Sequence, residues 1–313
     1  MKPQKIKYDP ETFLQLNERD SLDERLVLIV KNLAAEQKNT FLNPAGLARA
    51  ADYIEAFFLG LGLEVRRQSY EADGVECHNL EAVGSNFQGK DKPHYILGAH
   101  YDSAMGAPGA DDNISALAVM LETARGLVSA PEVLEKLRFV AYVNEEPPHF
   151  SNDTMGSFVH AQACRQAGDN ILGMICLESL GYYSNEPGSQ ELPEMSEELL
   201  AVSAALMAER GIAPDVGNFL ALVGDEGSME LLAAFDKHFS KKLGVPVMPM
   251  VNAEMRLSDQ FSYWDAGYPA LMLTDTAFFR NPNYHEPSDT FETLNYCIMA
   301  RITTNLIATF KKL

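Results

Sequence analysis

His100, Asp102, Asp112, Glu145, Glu146, Glu178 and His285 are the side chains of this 313-residue sequence best placed by type and position to do chemistry. Each follows a short apolar run. HYILGA is followed by His100 and Asp102, then by Asp111-Asp112-Asn113 where a helical pattern begins; LRFVAYVN by Glu145-Glu146; ILGMICL by Glu178; and PALMLTDTAFFRNPNY by His285. Taken singly, each has a plainer reading: a hydrogen-bonded structural histidine, a helix N-cap, a solvated loop. Taken together they need a cation, because clustered carboxylates and histidines at strand ends would otherwise repel or be desolvated without compensation. Nitrogen and oxygen donors without a thiolate point to a borderline divalent ion, zinc first, with manganese or cobalt acceptable to so carboxylate-rich a site. The donors suffice for two ions sharing a carboxylate, an arrangement suited to hydrolysis. Neighbouring glutamates leaving a strand point differently, so one can ligate while the other moves a proton.

The elements that must carry these residues are legible in the pattern. Ser21-Leu22-Asp23-Glu24 has capping-box spacing before LVLIVKNLAAEQ, and Asn43-Pro44 opens a second helix, AGLARAADYIEAFFLGLG, closed by glycine. Short strand-like runs then alternate with helical patterns. The strands are expected at LEVRRQSY, NLEAV, HYILGA, LRFVAYV, ILGMICL, NFLALV and PALMLT. The helices are expected from Asn113, about Thr154, about Glu194, Ser228 and about Phe291. That alternation predicts an α/β fold with a largely parallel sheet, where ligands bind beyond the carboxyl ends of the strands. There is no internal repeat and no linker; Asn185 to Ser196 is the clearest loop. We expect a single catalytic domain over residues 1–313 with a helical lead-in over about residues 1–40.

Composition narrows the partners. The formal net charge is −19, from 25 Lys plus Arg against 44 Asp plus Glu, which opposes binding to nucleic acid or an anionic membrane. The N-terminal segment has neither a signal-peptide apolar region nor a membrane span, so a cytoplasmic location is expected. Cys77, Cys164, Cys176 and Cys297 are widely spaced, as suits reduced structural thiols. His78, His94, His160 and His238 have no supporting pattern and read as structural or surface residues.

The ordered set GAHYDS, GADDN-S, NEE, LES-GY, SD-F---GYPALMLTDT and YH-PSDT resembles the di-zinc peptidase family that includes bacterial leucyl aminopeptidases, glutamate carboxypeptidase and the glutaminyl cyclases. The resemblance runs over roughly residues 40 to 310. It implies a three-layer α/β/α fold of the zinc-exopeptidase, phosphorylase/hydrolase-like kind, with a mixed, largely parallel central sheet. It also implies two zinc ions per chain, with Asp112 bridging, His100 and Glu178 on one ion, and Glu146 and His285 on the other. Glu145 is then the general base, and Asp102 orients His100. Tyr284 matches a position where a hydroxyl or ring faces a developing oxyanion, and a plain packing role serves it as well.

Three positions depart from the family pattern. Glu178 stands where many of the aminopeptidases have Asp, PPHFSNDTM is longer than their short turn and leans toward the cyclases, and Gln260 replaces a frequent His. His149, within that extended segment, reads as an exposed loop histidine rather than a pocket residue. The implied activity is that of an exopeptidase, an aminopeptidase acting on peptides whose free N-terminus docks at the metals. A glutaminyl cyclase, typically with one zinc, and a catalytically silent binding domain are the alternatives; the complete ligand set favours the two-metal aminopeptidase. The segments 180 to 195 and 225 to 257 carry no motif that would give the preferred side chain, and oligomeric state is not readable.

Overall fold

The computed structural model of the chain describes residues 20–193, 196–240 and 243–313; the first nineteen residues of the lead-in lie outside them. Helix α1 (Leu22–Leu33) begins at the expected capping box, where Ser21 N–H donates to Glu24 Oε2 at 2.8 Å. Helix α2 (Pro44–Gly60) has proline in its first turn, and Asn43 Oδ1 accepts the Gly46 N–H at 3.0 Å. The same Asn43 amide donates to Glu36 Oε2 and Gln37 O, tying the helix start to the strap before it. Asn43→Ala should therefore lower the free energy of unfolding by about 1–2 kcal/mol, the upper half of the range for lost caps, in a urea titration.

Strands β1 (Glu64–Ala72) and β2 (Val75–Val83) form a hairpin whose two turn residues, Asp73 and Gly74, have φ of 53° and 75°, the left-handed pair that matches strand twist. There follow β3 (His94–His100), α3 (Ala116–Leu127), α4 (Pro131–Leu134), β4 (Leu137–Tyr142), α5 (Gly156–Ala167), β5 (Ile171–Glu178), α6 (Glu197–Arg210), β6 (Leu220–Gly224), α7 (Met229–Phe239), β7 (Val247–Val251), α8 (Gln260–Asp265), β8 (Ala270–Thr274) and α9 (Tyr296–Phe310). The eight strands lie in the order β1-β2-β4-β3-β5-β8-β6-β7. The four central strands β4, β3, β5 and β8 are mutually parallel, while the β1–β2, β2–β4 and β6–β8 pairs are antiparallel. The sheet is mixed, with a parallel centre.

Both faces are covered, which is why β4 is buried along its whole length rather than alternating. On one face α1, α2, α3, α7 and α9 contribute Leu26, Phe57, Leu117, Phe235 and Leu306 to a core cluster. On the other, α5, α6 and α8 contribute Cys164, Met207 and Tyr263 to a second cluster. Arg138 of β4 is fully buried and paired with Glu81 and with Asp169 at 2.7 Å; His94 and His160 pack against its guanidinium. Those two histidines are structural, as their sequence context suggests. All four cysteines are free, with Cys297 exposed and the others buried. No helix among the described residues is long and apolar enough to cross a membrane.

Candidate metal centre

The parallel centre of the sheet delivers the expected residues to one end. His100 is the last residue of β3 and Glu178 the last of β5; Glu145 and Glu146 follow β4, and His285 follows β8. Asp112 comes from a π-helical turn, Ala110–Ser115, in which it adopts non-helical angles of φ −103° and ψ 94°. That turn delays α3 to Ala116, three residues beyond the expected Asn113, and frees the Asp112 carboxylate to face the strand ends. Asn144, Ser179 and His285 take left-handed φ values of 61°, 43° and 60°. Each lies in or beside a donor-bearing turn, where a conformation that costs free energy is held by its surroundings.

Two groups of donors result, with Asp112 common to both: His100, Asp112 and Glu178, and Asp112, Glu146 and His285. His100 Nε2 lies 3.3 Å from Asp112 Oδ1, 3.3 Å from Glu178 Oε2 and 3.7 Å from Glu145 Oε2. His285 Nε2 lies 3.0 Å from both Asp112 Oδ2 and Glu146 Oε2. None of these approaches has hydrogen-bond geometry: both nitrogens of His100, Nε2 of His285 and Oε1 of Glu146 are buried without a hydrogen-bond partner. Desolvated polar atoms with no partner are costly. A tetrahedral ion with bonds of about 2.0–2.1 Å puts neighbouring donor atoms about 3.3 Å apart, so the spacing and the N/O donor set both fit zinc.

Electrostatics point the same way. Burial drives the Glu145 carboxyl well above its ordinary range, with the charges of Glu178 and Glu146 adding to it against His100. Burial and the Asp112 charge push Glu146 up to about 8. Asp112 is buried too, yet its flanking histidines hold it well below the usual range. His285, despite burial, is raised to about 10 by Asp112 and Glu146. Two buried glutamates pushed toward the neutral form around an ionised Asp112 mark an excess of negative charge that bound cations would relieve.

The supporting residues are a mixture of expected and unexpected ones. Asp102 Oδ1 is 3.4 Å from His100 Nδ1, beyond a formed hydrogen bond; its carboxylate accepts the N–H groups of Glu145 at 3.1 Å and Glu146 at 3.0 Å. It braces the glutamate turn. Asp289, quoted within the YH-PSDT motif but given no role there, does the same for the aspartate turn, accepting the Asp111 N–H at 2.9 Å and the Asp112 N–H at 3.3 Å. Asn113 bridges to the β5 end through Leu177 O and Ser179 N–H. Glu178 is fixed by Ser258 Oγ at 2.6 Å and Ser179 Oγ at 3.0 Å. Beside Ser258, Asp259 is fully buried with neither carboxylate oxygen hydrogen-bonded, and burial raises it to about 7.

One sequence expectation changes. His149 is buried rather than exposed: Thr40 Oγ1 and Thr154 Oγ1 each lie 2.9 Å from its ring nitrogens and Phe41 stacks on it at 6.0 Å. It bolts the PPHFSNDTM loop to the strap before α2. Gln260 is buried, its amide donating to Met255 O. Tyr284 stacks on His285, with ring centroids 3.8 Å apart, and lines a cavity that opens beside Glu178. The other walls include Met207, Met248, Met250, Met255, Met272 and Phe219.

The fold and the paired donor groups define a metallopeptidase-like hydrolase, and comparison with known proteins gives its family. Residues 83–219 and 211–310 match the model of peptidase family M28. The Escherichia coli K12 protein YfbL is 36% identical over 277 residues, covering 85% of this chain and 80% of that one. Leucine aminopeptidase 1 of Trichophyton equinum is 23% identical over 234 residues, 70% of this chain, which spans about half (54%) of the fungal enzyme's length. Among solved structures, the Legionella pneumophila LapA aminopeptidase aligns with a TM-score of 0.68 at 18% identity, over 92% of this chain and 70% of that one. Porphyromonas gingivalis glutaminyl cyclase aligns with a TM-score of 0.66 at 16% identity, over 94% and 99%. The chain belongs to peptidase family M28. It is a peptide-bond hydrolase on a mixed α/β fold, and the zinc-aminopeptidase reading of the sequence agrees with these relatives.

Proposed function

We propose that the chain is a single catalytic domain with the activity of a two-zinc aminopeptidase. The observation that carries this is the pair of donor groups sharing Asp112, with histidine nitrogens buried and lacking hydrogen bonds. His100 and Glu178 would hold one ion, Glu146 and His285 the other, and Asp112 both. Zinc bound there supplies Lewis acidity toward a water and a carbonyl. Glu145 ligates in neither group, and its Oε2 lies 3.7 Å from His100 Nε2. With two cations offsetting the neighbouring carboxylates, Glu145 would be ionised, and a carboxylate held beside the donor cluster is suited to take a proton from the attacking water and pass it to the leaving amine. Tyr284 stands beside the ligand His285 and the apolar cavity, where its hydroxyl can face the oxygen that gains charge. Asp102 and Asp289 keep the two ligand turns in register.

The cavity lining has Glu178 and Glu191 but no cationic side chain to pair with a substrate carboxylate, which supports cleavage at the N-terminus rather than the C-terminus. The methionine-rich cavity, with no cationic side chain among its lining residues, favours a large flexible apolar side chain next to that amine. Leucyl and methionyl anilides should be hydrolysed at least about tenfold faster in kcat/KM than aspartyl anilide, the scale of one unmatched group in an apolar pocket. N-acetylated counterparts should be refused. Release of ammonia from Gln-initiated peptides, together with inertness toward every free-amine anilide, would instead establish the cyclase reading that the PPHFSNDTM loop and the cyclase-like fold support.

A further inference from the structure

The strap between α1 and α2, residues 34–43, crosses the loop that joins His100 to Asp112. At the crossing lies Lys38, only 1% exposed, a burial that lysine tolerates only when its ammonium is engaged. Its N–H donates to Ser103 Oγ at 2.9 Å, and its carbonyl accepts the Ser103 N–H at 2.8 Å. Ser103 Oγ donates onward to Ala107 O at 2.9 Å. At the other end of the loop, Lys38 Nζ donates to Pro108 O at 2.7 Å, and also to Glu36 O at 3.1 Å. One residue thus grips the loop at both ends.

The loop is packed directly on the ligand turn. A Cβ built on Gly109, whose φ is 69°, would lie 2.5 Å from Asp112 O and 2.7 Å from Ser103 Cβ, so displacement of the 103–109 backbone is passed to Asp112. The ammonium also sits in the field of the two carboxylates that brace the ligand turns. Burial lowers its pKa to about 8, opposed first by the charge of Asp102 and next by that of Asp289. Asp102 holds the Glu145-Glu146 turn and Asp289 the Asp111-Asp112 turn.

We infer that Lys38 is a positioning residue for the metal-binding turns: its buried ammonium locks the Ser103–Gly109 loop against the Asp112 turn and so fixes the separation of the two donor groups. This rests on the two-zinc reading for its functional consequence but not for the contact itself. Lys38 touches none of the donors and acts through the loop.

The test is hydrogen exchange of peptides covering residues 103–109, in metal-free and zinc-loaded full-length protein, for wild type, Lys38→Met and Lys38→Arg. Loss of a charge-assisted hydrogen bond should speed exchange there about tenfold or more in Lys38→Met, with the β4 peptide unchanged. Zinc release to a chelator should accelerate, and kcat should fall with little change in KM. Lys38→Arg, which retains a donor, should recover part of each loss. Should Lys38→Met fail to fold, Lys38→Gln removes the same ammonium with a polar side chain and is expected to loosen the same segment. Wild-type protection of 103–109 in Lys38→Met, or in Lys38→Gln if that variant carries the test, would overturn the proposal. So would exchange that rises equally in β4, since that marks general destabilisation. A wild-type chain that takes up no zinc would refute the metal reading, while the metal-free exchange comparison would still decide the role of Lys38.

Discussion

Glu145→Gln is expected to lower kcat by at least about a hundredfold, the scale of a general acid–base contribution, while zinc content and KM stay close to wild type. The expectation follows from position. Glu145 belongs to neither three-residue donor group, yet it is buried with them and its backbone N–H is held by Asp102. Glutamine keeps the shape and the backbone bond and removes only the ability to accept and return a proton. The adjacent substitution gives the opposite pattern: Glu146→Gln removes a donor lying 3.0 Å from His285 Nε2 and should show first as reduced metal occupancy. Kinetics and elemental analysis of the two variants side by side make the check. Normal turnover in Glu145→Gln would remove Glu145 from the mechanism.

The larger effect should come from Asp112→Ala. This carboxylate is the one donor common to both groups, and it sits between His100 and His285 with one oxygen toward each. Its removal takes an oxygen donor from both sites at once and leaves His100 and His285 without the carboxylate between them. We expect zinc content to fall below one ion per chain and activity to drop by more than about a thousandfold, the scale of the several kcal/mol that Lewis-acid stabilisation supplies. Zinc should raise the melting temperature of metal-free wild type by mass action and should have little effect on this variant. Calorimetric scans with and without zinc read that difference. Full zinc occupancy and wild-type rates in Asp112→Ala would show that the shared-carboxylate arrangement is wrong.

Much of the site was legible because its donors sit at or soon after the ends of strands, where an apolar run stops and a polar residue begins. His100 and Glu178 terminate β3 and β5, so locating the strand locates the residue. The less legible features depend on partners distant in sequence. Asp289 accepts from a backbone N–H 178 residues away, and Lys38 donates to a carbonyl 70 residues away; no local spacing announces either. His149 is buried only because Thr40 and Phe41 cover it.

Strand β7 went unread because VMPMV holds a proline and no alternation. It forms at the sheet edge, where β6 pairs with it on one side and the missing N–H of Pro249 can be tolerated. The last helix starts at Tyr296 rather than about Phe291 because residues 291–293 form a separate 3₁₀ turn and Asn295 caps the helix, accepting the Ile298 N–H at 3.1 Å. Periodicity extended the helix backward through a segment that tertiary contacts bend away.

One shared carboxylate, Asp112, is expected to join two metal sites in this chain. Calorimetric titration of the metal-free protein with zinc, followed by elemental analysis of the purified complex, tests it most directly. Saturation is expected at two zinc ions per chain, with Glu145→Gln matching wild type in both measurements. Saturation at one ion, or no uptake at all, would contradict it.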